Sequence, residues 1–405
     1  MASATEQDAG VPGTSASRSA EVLQSAVDQA AYFNLFSRPE GANGGAALGG
    51  PQGVVGVRVC EALHRFQVAT RPPTAATPLR AANVVGECLG RFRHRWVVVP
   101  DDFVALPGAE PPPTPLDPAR PQRFVMLDGE CRFGDGDGFR GFGTGLTLPT
   151  SGNGRRQLLA TAIGTVLDGF GRFNGCGEGT YLYCGTLAPE SGFTGNLMIR
   201  LADPEQALRT DQPLSDVEPR PRQEAGVTYV VFRGEAVPSD AVRPNTGPDG
   251  RQIGLVVEQG LFLHSIDAGR APGGVQTCDT VGRRVGRVTA YVAFDPARAS
   301  GAALDPVPFT AYDEFAFVGP RGEPAGGFTA DSREGRVFNT SVLGRPAIRF
   351  GGVGRLLGGT GPFDGIDGLM TDNSLVVFTP HVSASVYVLR VNDPQGRFAA
   401  ALGES

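Results

Sequence analysis

Gly354-Arg-Leu-Leu-Gly-Gly-Thr-Gly-Pro-Phe-Asp-Gly365 decides the fold, because the chain carries related text once before, as Gly164-Thr-Val-Leu-Asp-Gly-Phe-Gly-Arg-Phe-Asn-Gly175. The offset is 190 positions (354 against 164), and it persists downstream. Leu167, Gly169, Gly171, Phe173, Arg200, Asp203 and Pro204 meet Leu357, Gly359, Gly361, Phe363, Arg390, Asp393 and Pro394. Parity agrees too, since Leu197, Ile199 and Leu201 meet Tyr387, Leu389 and Val391, so one face is apolar in both copies. Self-similarity with a matching period means a duplicated unit. Within each copy the glycines permit a crossover after a strand, and the Phe is expected as an inward plug between turns.

Working outward, short runs rich in Val, Phe, Tyr and Ile alternate with Gly, Pro, Asp and Asn. The expected first set of strands is 91–99, 123–133, 158–167, 180–187 and 193–201. The second is 227–233, 254–263, 287–294, 309–318, 347–357, 375–378 and 385–391. Val22, Leu23, Ala26, Val27, Ala30 and Ala31 form one helical stripe, which predicts a helix over 20–36. The chain therefore reads as all-β: two tandem antiparallel β-barrels with a short N-terminal helix. A tail, helix and Gly-rich connector take 1–53 (disordered over 1–18), a first barrel 54–204, a linker 205–225, a second barrel 226–395 and a tail 396–405.

Composition removes several function classes. All 36 basic residues are Arg, so a P-loop and a lysine Schiff base are both excluded. A net charge of -6 argues against a nucleic-acid partner. No apolar run is long enough to span a bilayer, and residues 1–10 do not read as a signal peptide, so a cytoplasmic protein is expected. The six Cys form no CxxC, and the His residues at 64, 94, 264 and 381 have no metal-ligand spacing. The Cys read as small buried hydrophobes. No metal and no cofactor are expected.

The Gly354–Gly365 block resembles the G-G-T-G-x-F-x-G turn of the allene oxide cyclase and dirigent-like barrels, and Gly164–Gly175 looks like a degenerate version. The resemblance covers about a dozen residues in each half and implies an eight-stranded calycin-type barrel with a cavity. The family includes bacterial barrel cyclases of natural-product pathways. Its catalytic residues have no motif counterpart here, and the tandem arrangement and N-terminal helix depart from the single-barrel pattern.

Candidate site residues come from the strands. Asp128, Glu130 and Arg132 share one strand face, either solvated or a polar cluster inside a cavity with Glu130 held by Arg132 as a tuned acid or base. Tyr181 and Tyr183 share a face as core aromatics or as phenols that polarise a carbonyl. Glu258 stands alone in an apolar run, and Tyr312 and Glu314 share a face in the second copy. His264 reads as a strand-end residue. Gly134–Gly145 reads as a hairpin, since it has no following helix for a phosphate cradle and no Glu at the twelfth position for calcium. Glu130, Asp128 and Tyr183 are the expected catalytic set, with Tyr181, Arg132, Glu258, Tyr312 and Glu314 binding substrate. The first copy is expected to be the active one. The expected activity is a cofactor-independent cyclase or isomerase acting on an apolar small molecule folded in a barrel cavity. A carrier without catalysis is the alternative, followed by a scaffold; self-association is compatible with the sequence.

Overall fold

The computed structural model describes residues 13–400 apart from 42–43, 104, 106, 135, 151–156, 177–178, 189–191, 204, 213, 215–223, 225, 238–241 and 295–306. Helix α1 (Gly13–Val27) leads into β1 (Ala30–Pro39), β2 (Gly45–Gly50), β3 (Gly53–Arg71), β4 (Arg80–Val98), β5 (Gln122–Phe133), β6 (Asp137–Thr150), β7 (Gln157–Phe170), β8 (Thr180–Ala188) and β9 (Gly192–Ala202). The second set is β10 (Val227–Glu235), β11 (Val242–Thr246), β12 (Gln252–Ala271), β13 (Gly274–Ala293), β14 (Val307–Val318), β15 (Pro324–Val342), β16 (Arg345–Thr360), β17 (Gly368–Val377) and β18 (Val382–Asn392).

Both sets close into antiparallel barrels. β1 pairs with β9 on one side and β3 on the other, which completes an eight-stranded ring, and β2 continues along the β3 edge that β1 leaves free. β10 and β11 do the same beside β18 and β12. Closure leaves no long unpaired edge among the described residues. The duplicated motif does what its glycines require. Gly171 and Gly361 take φ of 63° and 61° at the start of a one-turn 3-10 helix. That turn drives Phe173 and Phe363 into the barrel floors, 1% and 0% exposed.

The helix is shorter than 20–36: α1 ends at Val27 and the chain re-enters as β1. The cause is burial on both faces of β1. Ala31, Phe33 and Leu35 point into the first barrel, while Ala30, Tyr32 and Phe36 pack in a cluster shared with the second. A strand buried on both sides reads as a continuous apolar run, and that run mimicked a helical stripe. The first barrel thus begins at Ala30, and the expected Gly41–Gly53 connector contains β2. Residues 13–18 belong to α1; 1–12 lie outside the described residues. The expected hairpin at 134–145 is the β5–β6 connection, with Asp135 outside the described residues. Cys131, Cys176 and Cys184 are buried, whereas Cys60 and Cys278 are half-buried and Cys88 is exposed.

Two expected boundary segments dock. In the expected linker, Leu208 is fully buried and Arg209 bridges to Thr277 of β13. In the expected C-terminal tail, Phe398 is 3% exposed and Ala399 bridges to Ala81 of β4. Each barrel therefore sends the segment after its last strand onto the other.

Candidate functional site

β14 places Phe309, Ala311, Asp313, Phe315 and Phe317 on its inner face, so the alternation that builds the barrel also buries a carboxyl at its centre. β12 adds Gln259 between Val257 and Leu261. β17 adds Asp372 and Ser374, β18 adds Ser385 and Tyr387, and β15 adds Ser332. These groups floor a cleft whose remaining lining is apolar: Val257, Ala290, Val292, Phe309, Ala311, Phe350 and Val376. Its free volume is about 20 Å³ as packed, enough for a water molecule.

The hydrogen bonds run in one direction. Tyr387 Oη donates to Gln259 Oε1 at 2.9 Å, and Gln259 Nε2 donates to Ser385 Oγ at 2.8 Å. Ser374 Oγ donates to Asp372 Oδ1. A hydroxyl has one proton, so the 2.6 Å contact between Ser374 and Ser385 makes Ser385 the donor. The relay ends on Asp372 and stabilises its charged form. Among the described residues no hydrogen bond reaches Asp313.

This asymmetry separates the two carboxyls. Burial pushes Asp372 up to about 7, opposed by the Ser374 hydrogen bond. Asp372 lines the cleft and is half-buried. Asp313 lies well above the usual carboxylate range, through burial first and then the charges of Asp372 and Asp331. Near neutral pH one carboxyl is a protonated acid and its neighbour a partly ionised base.

Register shows how the two barrel interiors are filled differently. Val57 pairs with Trp96 as Leu255 pairs with Val292, and Val59 with His94 as Val257 with Ala290. The 190-position offset sets Phe193 against Ser383. Trp96, His94 and Phe193 of the first barrel are thus replaced by Val, Ala and Ser. Trp96 stacks on Phe124 at 4.2 Å and packs against Phe193 at 5.7 Å, which plugs the first barrel.

The first barrel keeps a polar centre of its own. Glu61 Oε2 accepts from Ser37 Oγ at 2.7 Å and from Tyr183 Oη at 2.9 Å, and Glu61 Oε1 lies 3.6 Å from His94 Nε2. Burial raises Glu61 to about 8 and lowers His94 to about 3, so both are neutral near pH 7. By register, Glu61 stands where the second barrel has Gln259, and Tyr183 where it has Asp372.

Several sequence candidates lie elsewhere than a cavity. A bulge between Met126 and Gly129, with Asp128 at φ 55°, shifts the parity of β5. Asp128, Glu130 and Arg132 therefore face solvent, with Arg95 donating to Asp128 at 2.6 Å and Arg132 to Glu130 at 2.6 Å. The Arg132 hydrogen bond holds Glu130 below the usual carboxylate range, as an exposed ion pair does. Tyr181 and Tyr183 do point into the first barrel and are fully buried. Glu258, Tyr312 and Glu314 lie on the outer face of the second barrel; Glu258 accepts from Arg243, and Tyr312 is 43% exposed. His264 is buried within β12 rather than at a strand end, with Nε2 3.0 Å from Asp279. The inner residues Gln259 and Asp313 are immediate neighbours of these candidates. Their signal was an Asp on the Phe-Ala-Asp-Phe-Phe face of 309–317.

No family model, curated protein or solved structure matches the chain. Among the described residues no His, Cys, Asp and Glu cluster could hold a metal ion, and no helix is long and apolar enough to cross a membrane.

Proposed function

We propose that the second barrel is the active centre of a cofactor-independent isomerase or cyclase that moves a proton on a small, flat, apolar carbonyl compound. The observation that carries this reading is the pair of buried carboxyls with opposite hydrogen-bond environments at the base of an apolar cleft. The Asp372 carboxylate removes a proton α to the carbonyl. The Asp313 carboxylic acid gives its own to the carbonyl oxygen, and an enol results. Return of a proton at a different carbon gives an isomer; attack by the enol carbon on a second electrophilic carbon closes a ring. Positioned acid–base groups of this kind contribute about 10²–10⁴ in rate. With a substrate bound, the apolar walls keep bulk water away and hold the reacting conformer. Phe309, Phe350 and Val376 belong to the lining, and side chains of that lining must move aside for a substrate to enter the roughly 20 Å³ of free space.

The test is deuterium incorporation into 2-cyclohexenone in heavy water, followed by proton NMR. The wild-type protein is expected to accelerate exchange at the acidic carbons above buffer, and Asp372→Asn to remove that acceleration. The rate falls as pH drops below about 7, because Asp372 is then protonated. A probe that binds without exchanging favours the carrier. Exchange that survives in both Asp372→Asn and Asp313→Asn sinks the assignment.

A further inference from the structure

We infer a second ligand site in the cleft between the two barrels, built for a rigid molecule with one apolar face and one hydroxylated face. The cleft measures about 410 Å³, within the range of sites that take drug-sized ligands and far roomier than the barrel interior. It shares no lining residue with that interior.

Its two walls differ in chemistry. The first barrel presents Leu146, Leu148 and Leu159, flanked by Pro121 and Pro149, with Thr161 as its one polar residue in the lining. The second barrel presents polar groups in pairs beside Val353, Leu357 and Leu369. Arg333 Nε donates to Asp331 Oδ2 at 2.7 Å. Arg355 Nη2 lies 3.3 Å from Asp367 Oδ1, whose Oδ2 accepts from Asn392 Nδ2 at 2.7 Å. Gly354 lies between them in the lining. The duplicated motif thus begins in the floor of this cleft.

Pairing decides the ligand class. Each arginine is matched by an aspartate, so the polar wall has no net charge with which to hold an ion. What it offers is guanidinium N–H donors beside carboxylate acceptors, and a hydroxyl, which is donor and acceptor at once, suits both. The aliphatic wall opposite excludes a ligand that is polar all round, because its hydroxyls there would lose water without gaining partners. A long alkyl chain with one polar end fails for the opposite reason, since it leaves the arginine–aspartate wall unmatched. A hydroxylated fused-ring compound with all its hydroxyls on one face satisfies both walls. Across the cleft's border, Arg123 Nε lies 3.2 Å from Glu334 Oε1, and this half-buried bridge fixes the spacing of the barrels.

The experiment uses the full chain and methyl cholate, a neutral fused-ring compound with its hydroxyls on one face, in saturation-transfer NMR and calorimetry. Methyl cholate is expected to bind saturably. The double variant Arg333→Ala with Arg355→Ala, and separately Leu148→Asp, are expected to weaken it at least tenfold with the melting temperature unchanged. Asp372→Asn is expected to bind it as the wild type does, which keeps this site distinct from the proposed catalytic one. Four results overturn the inference: no binding of methyl cholate, equal binding by the arginine double variant, equal binding of methyl decanoate, or loss of binding in Asp372→Asn, which would place the ligand inside the barrel.

Discussion

Glu61 is a carboxylic acid held where only its neutral form is comfortable. Its raised value comes from burial and is opposed by the Ser37 and Tyr183 hydrogen bonds, so Glu61 binds a proton in the fold that it has lost in the unfolded chain between pH 4.5 and about 8. A raised folded value means stability that is complete below the unfolded value and drains as pH rises through the folded one. Glu61→Gln removes the titration while keeping an oxygen for Ser37 and Tyr183, and it installs the residue that the second barrel has at this register. The variant is expected to gain on the order of a few kcal/mol over the wild type near pH 8, with the difference vanishing toward pH 4. Denaturant melts across that range check it; equal stability at both ends would remove the account of Glu61 as a neutral acid. At this scale the sequence was only half legible. Tyr183 could be seen as an inward aromatic, but Glu61 sits among Val57, Val59 and Leu63 on a strand that the repeat did not mark. In β5 a one-residue bulge changed the parity from which faces were inferred.

The strand ladders show how one architecture is filled by large side chains in one barrel and small ones in the other. Trp96 and His94 fill the first; Val292 and Ala290, at the same register, leave room in the second. Val292→Trp is therefore expected to close the second cleft. The cleft holds only about 20 Å³ of free space, so the indole must push packed neighbours aside, and the melting temperature is expected to fall by an overpacking cost of about 1–3 kcal/mol. Deuterium exchange into 2-cyclohexenone should fall to the buffer rate. Retained exchange would show that the chemistry does not use this cleft. The barrels themselves were legible because their strands alternate and their crossovers repeat, as Gly171–Phe173 and Gly361–Phe363 illustrate. β1 was not, because both of its faces are buried, and alternation vanishes where a second barrel covers the outside.

At the scale of the whole molecule the two barrels meet as a two-fold dimer would. Thr277 Oγ1 donates to the Tyr32 carbonyl, and Asn83 Nδ2 donates at 2.9 Å to the Tyr229 carbonyl; Tyr32 and Tyr229 occupy the same place, opposite Arg200 and Arg390. The exchanged segments are reciprocal as well, Leu208 and Arg209 against β13 and Phe398 and Ala399 against β4, with Thr277 and Ala81 as the bridged positions. A shared cluster of Tyr32, Phe66 and Val68 with Tyr229, Ile266 and Val388 seals the joint. Contacts that recur in both directions mark an isologous interface, in which one patch serves on each side. A chain carrying only one of these patches should then find it on another copy. Residues 226–405 alone are expected to sediment as a homodimer, with Phe398 of each copy laid along β13 of the other. Ending that chain at residue 395 removes the exchanged segment and should shift it toward monomer at the same concentration. Residues 1–225 supplied as a separate chain should displace the homodimer, because Arg65 then recovers its paired bonds to Asp267, at 2.7 and 2.5 Å, and the original partner surface is restored. A folded, strictly monomeric second barrel with its circular dichroism intact would mean that the joint depends on features peculiar to each half rather than on the patch they share.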